Sequence, residues 1–125
     1  MAPRASYTPS PARIDREWPH QIALPDDMCC DHNFTLIAAF CRDNALSFQT
    51  RRVQAVWPNK RYQDMRLHCF AKREDAELFQ SHFGGEFFNP NSDREGGRRG
   101  WWQRSGVWTR LLESGPLKVP AILRD

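Results

Sequence analysis

The C-terminal part of the sequence contains a run of glycine, arginine and tryptophan that could bind another molecule. The run comprises Gly96, Gly97, Arg98, Arg99, Gly100, Trp101, Trp102 and Arg104. Arginine neutralises phosphates and stacks on bases, tryptophan offers a flat ring, and glycine lets a partner approach closely, so the mixture is typical of single-strand nucleic-acid binders. Tryptophan and arginine also anchor protein–protein contacts. A third interpretation is that these tryptophans, with Trp108, pack on the rest of the chain and enlarge a small core.

A second group of reactive side chains consists of thiols and an imidazole. Cys29, Cys30 and His32 lie close together, and Cys41 and Cys69 follow. Zinc would accept such ligands, but no pair among them has a recognised ligand spacing, and Cys41 and Cys69 fall at apolar positions of predicted elements. We therefore expect buried thiols, with a small metal- or thiol-dependent protein as an alternative. Because nothing in the sequence orients Cys30 toward His32, we predict no catalytic residue, no metal and no cofactor.

Length and composition limit the classes to which the chain can belong. It has 125 residues, of which 40% are apolar and 26% charged, and this fits one small domain. No apolar run approaches the ~20 residues of a membrane span, and the N-terminal region lacks the apolar segment of a secretory signal. We therefore expect a cytoplasmic protein without disulfides. Sequence motifs for nucleotide, phosphate or metalloprotease chemistry are missing as well.

Charge and turn-forming residues predict three segments. The net charge is +3, but between residues 17 and 88 eight basic side chains face ten acidic ones, so the surplus of positive charge lies at the two ends. Residues 1–16 are rich in proline and serine and predict a disordered or loosely docked basic arm. Residues 17–88 show the periodic apolar pattern of a folded α+β domain. Residues 89–125 begin with turn formers and predict a C-terminal extension.

Apolar periodicity predicts six elements between residues 18 and 88. Strands are expected at residues 18–24, 47–57, 65–71 and 86–88, and helices at residues 31–43 and from residue 73 to the glycine at 84. The order βαββαβ predicts a ferredoxin-like α+β fold, in which a four-stranded antiparallel sheet has two helices on one face. A chain segment of this size buries only about 60% of its surface, so we expect no deep pocket.

Parts of the sequence resemble known families. The residues concerned are Trp18-Pro19-His20-Gln21, then Cys69-Phe70-Ala71, Glu74-Asp75-Ala76, Phe79 and Phe83-Gly84-Gly85-Glu86. Together they resemble a group of short uncharacterised proteins common in rhizobium-type bacterial genomes, over roughly residues 7 to 90, and this resemblance implies a compact bacterial protein without a known activity. Residues 70–86 also resemble the second half of an RNA recognition motif. Met65 and Leu67 stand where that family has stacking rings, so we attribute this likeness to helix packing on a sheet.

These observations predict a non-catalytic binding or accessory module. Ferredoxin-like sheets often leave one face uncovered, and we expect the second and third strands to form a hairpin. Arg51, Arg52 and Trp57 on this hairpin, together with the Arg/Trp tail of residues 96–104, could form a contact surface there. We expect the partner to be another protein or a second copy of the chain. Binding of single-stranded nucleic acid through the tail is the alternative. We predict neither a membrane nor a small-molecule substrate as a partner.

Overall fold

The computed structural model describes residues 9–93 and 99–123, which form three helices and seven strands. The helices are α1 (Pro11–Glu17), α2 (Asp31–Asp43) and α3 (Arg73–Phe83), and the strands are β1 (His20–Pro25), β2 (Phe48–Val56), β3 (Tyr62–Phe70), β4 (Glu86–Phe88), β5 (Trp101–Gln103), β6 (Glu113–Ser114) and β7 (Leu117–Lys118). Short 3-10 turns lie at Asp26–Met28 and Ala121–Leu123. None of the helices in these two ranges has the length and apolar character that a membrane crossing requires.

Five strands form one mixed sheet that is strongly curled into a half-barrel, in the order β4-β1-β3-β2-β5. The first three pairings are antiparallel, and β5 joins β2 in parallel, with Trp101 opposite Gln54. The prediction of a four-stranded antiparallel ferredoxin-like sheet with two helices is therefore wrong. It is wrong because the Arg/Trp tail supplies a fifth, parallel strand, and because the proline-rich N-terminal segment supplies a third helix.

Local sequence signals explain where the helices begin and end. The Ser10 hydroxyl accepts a hydrogen bond from the Arg13 backbone N–H at 3.2 Å, and Pro11 occupies the first turn of α1, where a missing N–H costs nothing. The last turn of α3 is followed by Gly84, whose φ of 80° suits glycine because it has no Cβ to clash. Carboxylates of Glu74 and Asp75 lie in the first turn of α3, at the positive end of its dipole.

The sheet has two faces, and each is covered by its own apolar core. We call the side on which α2 and α3 pack the helix face. Its buried residues are Ile22, Leu24, Met28, Cys29, Ile37, Cys41, Phe70, Ala76, Phe79, Phe83, Leu117 and Val119. The opposite side, which we call the second face, buries Ile14, Ala23, Val53, Ala55, Met65, Leu67, Cys69, Phe88 and Trp102. Alternate residues of each strand point to opposite faces, which explains why Ala23 and its neighbour Ile22 belong to different cores.

The second face is not the uncovered surface that the sequence predicted. Ile14 of α1 is buried on it, and so is Trp102 of β5, whose ring meets the Phe88 ring edge-on at a centroid distance of 5.2 Å. The two elements that the predicted fold lacks are thus those that fill this face. A ferredoxin-like sheet would leave it open because it has neither of them.

Candidate binding site at the end of the sheet

Two of the arginines predicted to bind a partner hold the fold together around Asp15. Arg51 donates from Nε to Asp15 Oδ1 at 2.9 Å and from Nη2 to Oδ2 at 3.1 Å, and Arg99 Nε donates to Oδ2 at 2.9 Å. Gln21 Nε2 adds a fourth bond, to Oδ1 at 2.9 Å. The Arg51 side chain is 5% exposed and that of Asp15 is 9% exposed. These contacts therefore join α1, β2 and the C-terminal segment, and both guanidinium groups face the Asp15 carboxylate.

The remaining predicted residues do not form one cluster. Arg52 is exposed, and its Nε lies 4.0 Å from an Asp26 oxygen that Arg66 Nη2 approaches to 2.7 Å. Trp102 is buried in the second face. Arg98 lies outside the described residues. Four of the eight predicted residues come together at one end of the sheet, and these are Trp57, Trp101, Trp102 and Arg104.

At this end, Arg104 links the tail to the hairpin. Its guanidinium lies over the Trp102 ring at 4.0 Å and 5.6 Å from the centre of the Trp57 ring. Its Nη2 also binds both carboxylate oxygens of Glu86, at 2.9 and 3.1 Å. Trp57 follows β2 directly, and two depressions flank it.

The first depression is an open groove of about 470 Å³ on the helix face, which we call the aromatic groove. Its lining residues are Gln54, Val56, Trp57, Pro58, Lys60, Tyr62, Trp101 and Gln103. The five lining residues that belong to β2, β3 and β5 share a face because β2 and β5 are in register and Tyr62 lies opposite Val56 in the hairpin, and the other three follow β2 in the turn. The Tyr62 side chain is among the most exposed rings of the described chain, at 62%.

The second depression is a pocket of about 300 Å³ between the second face and residues 104–112, a stretch that we call the strap. We call this depression the strap pocket. It is lined by Ala23, Pro25, Trp57, Gln63, Met65, Gly85, Glu86, Arg104, Trp108, Thr109, Leu111 and Ser114. The expectation of no deep pocket considered residues 17–88 alone, whereas one wall of this pocket comes from the strap.

The thiols and the buried imidazole take no part in either depression. Desolvation by burial raises the pKa of Cys29 to about 12 and that of Cys41 to about 11, and it also raises the pKa of Cys69. Cys30 is exposed, and its Sγ lies 3.4 Å from the Asp26 carbonyl oxygen. Within residues 9–93 and 99–123, no three His, Cys, Asp or Glu side chains are grouped so that they could hold a metal ion.

His68 is a buried imidazole on the helix face. Its ring stacks on Phe79, with centroids 4.8 Å apart, and its Nδ1 has no hydrogen-bond partner among the described residues. Burial, together with the nearby Arg66 charge, lowers its pKa to about 3. A neutral ring among phenylalanines is therefore a core residue rather than a proton carrier at neutral pH.

The sequence pattern does not single out Tyr62 or Gln63, because the predicted third strand begins at residue 65. The structure begins β3 at Tyr62, and the hairpin register then places Tyr62 beside the end of β2. Aromatic residues on both sides of a Pro-Asn turn were the available signal. In comparisons with known proteins, no family model, no curated protein and no solved structure matches this chain.

Proposed function

We propose that the chain is a non-catalytic binding module that holds an extended, proline-rich segment of another protein in the aromatic groove. The observation that supports this is the lining of the groove. Three aromatic side chains, Trp57, Tyr62 and Trp101, stand around an open depression that also includes Pro58. Grooves lined in this way suit polyproline II segments, because flat rings pack against pyrrolidine rings and the segment is already extended before it binds.

The polar groups of the groove fit the same ligand. A polyproline II backbone leaves its carbonyl oxygens without internal hydrogen bonds, so it needs donors on the receptor. The Tyr62 hydroxyl and the Lys60 ammonium group are donors on exposed side chains at the groove. Lys60 is the one charged side chain in the lining, which favours a neutral or acidic segment.

The pairing of the tail arginines argues against nucleic acid as the ligand. Arg99 binds Asp15, and Arg110 Nη1 binds Asp27 Oδ2 at 2.9 Å. Affinity for a polyanion comes mainly from cations that neutralise its phosphates, and each of these guanidinium groups already faces a carboxylate.

The proposal also places the module in the cytoplasm, whose reducing conditions suit four free cysteines.

A titration with a synthetic ten-residue oligoproline tests the proposal, with a Gly-Ser peptide of equal length as the control ligand. We expect the oligoproline to shift the indole N–H signals of Trp57 and Trp101 in two-dimensional NMR spectra at millimolar concentrations or below. Tyr62→Ala and Trp101→Ala should each weaken binding by about fivefold or more, a loss of about 1 kcal/mol. Phe34→Ala is the matched control, because Phe34 is an exposed ring on α2 outside the groove.

Four results would contradict the proposal. The first is the absence of any shift with oligoproline, and the second is equal binding of the Gly-Ser peptide. The third is a concentration-dependent dimer in light scattering that Tyr62→Ala dissolves, which would identify a second copy of the chain as the occupant. A single-stranded oligonucleotide that competes at the groove, with an affinity that falls steeply as salt rises, would favour nucleic acid instead.

A further inference from the structure

We propose that the strap pocket is a second binding site, and that its ligand is a small flat aromatic molecule with a carboxylate. This site is separate from the aromatic groove, although Trp57 lines both. Its volume of about 300 Å³ is at the lower end of the range for small-molecule sites.

The backbone of the pocket is held in place by close packing. Ala23 and Met65 of the central strands form its floor. Gly85, with a φ of 97°, brings the chain so near to β1 that an added Cβ would lie 2.8 Å from the Ala23 carbonyl oxygen. The strap is attached on the other side by the ion pair of Arg104 with Glu86 and by that of Arg110 with Asp27. A ligand would therefore enter a pocket that is already formed, which reduces the entropic cost of binding.

Two contacts fix the orientation of the Trp108 ring. Trp108 Nε1 donates a hydrogen bond to Gln63 Oε1 at 3.1 Å, and the Arg61 guanidinium lies 4.2 Å from the centre of its ring. Together with Trp57 it gives the pocket two indole rings. Flat aromatic ligands gain most from such walls, because ring pairs contribute to binding beyond the buried area.

The charges around the pocket favour an anion. The Arg104 side chain is 21% exposed, whereas its partner Glu86 is 57% exposed, so the cation is the more desolvated member of the pair. The bonds between them use only Nη2 of Arg104. Because a guanidinium has five donors, a ligand carboxylate could bind the same group or replace Glu86 on it.

A cationic ligand fits this site less well, even though indole rings often hold cations. Both rings already have a guanidinium nearby: Arg104 lies near Trp57, and Arg61 and Arg110 lie near Trp108 at 4.2 and 5.9 Å. A further positive charge would be repelled by all three groups. A negative charge would be attracted by these three groups and repelled by two carboxylates, that of Glu86 in the lining and that of Asp27, which pairs with Arg110.

The test compares 2-naphthoate with its neutral analogue 2-naphthamide on the full chain. We expect 2-naphthoate to shift the indole N–H signal of Trp108 and to bind about tenfold more tightly than 2-naphthamide. Glu86→Gln should tighten naphthoate binding severalfold, because a neutral amide no longer competes with the ligand for Arg104. Arg104→Met should remove most of the tenfold preference for the charged ligand. The neutral analogue and Glu86→Gln keep the test meaningful even if Arg104→Met unfolds.

Two control variants separate this site from other effects. Tyr62→Ala changes the aromatic groove but not the strap pocket, so naphthoate should bind it as it binds the natural chain. Arg42→Met removes an exposed arginine on α2 that is outside the pocket lining, and it too should leave binding unchanged. Equal affinity for naphthoate and naphthamide, weaker naphthoate binding in Glu86→Gln, or no shift of the Trp108 signal would each overturn the inference. Failure of oligoproline to bind the groove would leave it intact.

Discussion

Replacing Asp15 by alanine should destabilise the fold by about 3–5 kcal/mol, because it leaves the buried Arg51 guanidinium without its carboxylate. In the native structure the Asp15 oxygens accept bonds from Arg51, Arg99 and Gln21. The Arg51 side chain is 5% exposed, so water replaces the lost partner only in part. A small domain has about 5–15 kcal/mol of total stability, and this single change would therefore remove a large part of it.

The appropriate assay is urea-induced unfolding, followed by tryptophan fluorescence and circular dichroism and extrapolated to water. Glu17→Ala is the matched control, since Glu17 pairs with Arg13 on the same helix but both side chains are 41% exposed. Its cost should be about 1 kcal/mol or less. The double variant Asp15→Ala, Arg51→Met should recover much of the loss, because it removes the unpaired charge and keeps an apolar stem.

Two results would refute the reasoning. A loss below about 1 kcal/mol in Asp15→Ala would mean that the ion pairs do not stabilise the attachment of α1. A double variant less stable than Asp15→Ala alone would mean that the cost arises from something other than the buried Arg51 charge.

Two further predictions concern His68 and the thiols. The pKa of His68 is about 3 in the folded chain and near 6.5 in the unfolded one, so the unfolded state binds more protons between these values. His68 therefore lowers the free energy of unfolding by up to about 1.4 kcal/mol per pH unit as the pH falls from about 6.5 toward 3. His68→Phe should remove this contribution, which urea unfolding at pH 6.5 and pH 5 would measure. An equal change in unfolding free energy between the two pH values in both proteins would contradict the prediction. Of the four thiols only Cys30 is exposed, so an aromatic disulfide reagent should rapidly label one thiol in the folded natural chain and none in folded Cys30→Ser. After denaturation the natural chain should react at all four thiols. Rapid labelling of two or more native thiols would show that the packing around Cys29, Cys41 or Cys69 opens.

The parts of the fold that depend on short-range patterns were predictable from the sequence. Helix α2 spans Asp31–Asp43, where the apolar spacing of Phe34, Ile37, Ala38 and Cys41 indicated it, although Phe34 and Ala38 are exposed, and α3 ends before Gly84 as predicted. Strand β4 is found at Glu86–Phe88. In each of these cases the signal and the element occupy the same few residues, so no distant contact is needed to recognise them.

The sheet itself was not predictable in this way, because β5 depends on a pairing far along the chain. Trp101 lies opposite Gln54, and no residue next to either one indicates the other. The sequence of β5 has no alternating apolar pattern of useful length, since it has three residues. Helix α1 likewise contributes a single fully buried apolar side chain, Ile14, within a polar and proline-rich stretch. Tertiary contacts decide both elements, and the composition of each resembles that of a loop.

The candidate site shows why residue type alone does not place the arginines. Arginine is favoured both at binding surfaces and in buried ion pairs, and the choice between them depends on whether a carboxylate is nearby in space. For Arg99 that carboxylate is Asp15, which is distant in sequence and comes close only when α1 packs on the sheet. The tryptophans divide in the same way, because alternation along β5 buries Trp102 and turns Trp101 toward the groove.

The C-terminal segment has two roles that no truncation can separate. It completes both cores, since Trp102 is buried on the second face and Leu117 and Val119 are buried on the helix face. It also supplies a wall of each depression, through Trp101 in the aromatic groove and Trp108 in the strap pocket. Removing residues 96–125 would therefore expose apolar core, and a change of assembly state after that deletion would reflect unfolding as readily as a lost contact. Point variants at Tyr62, which belongs to the hairpin, and at Glu86, which belongs to β4, change one depression each and leave the segment in place.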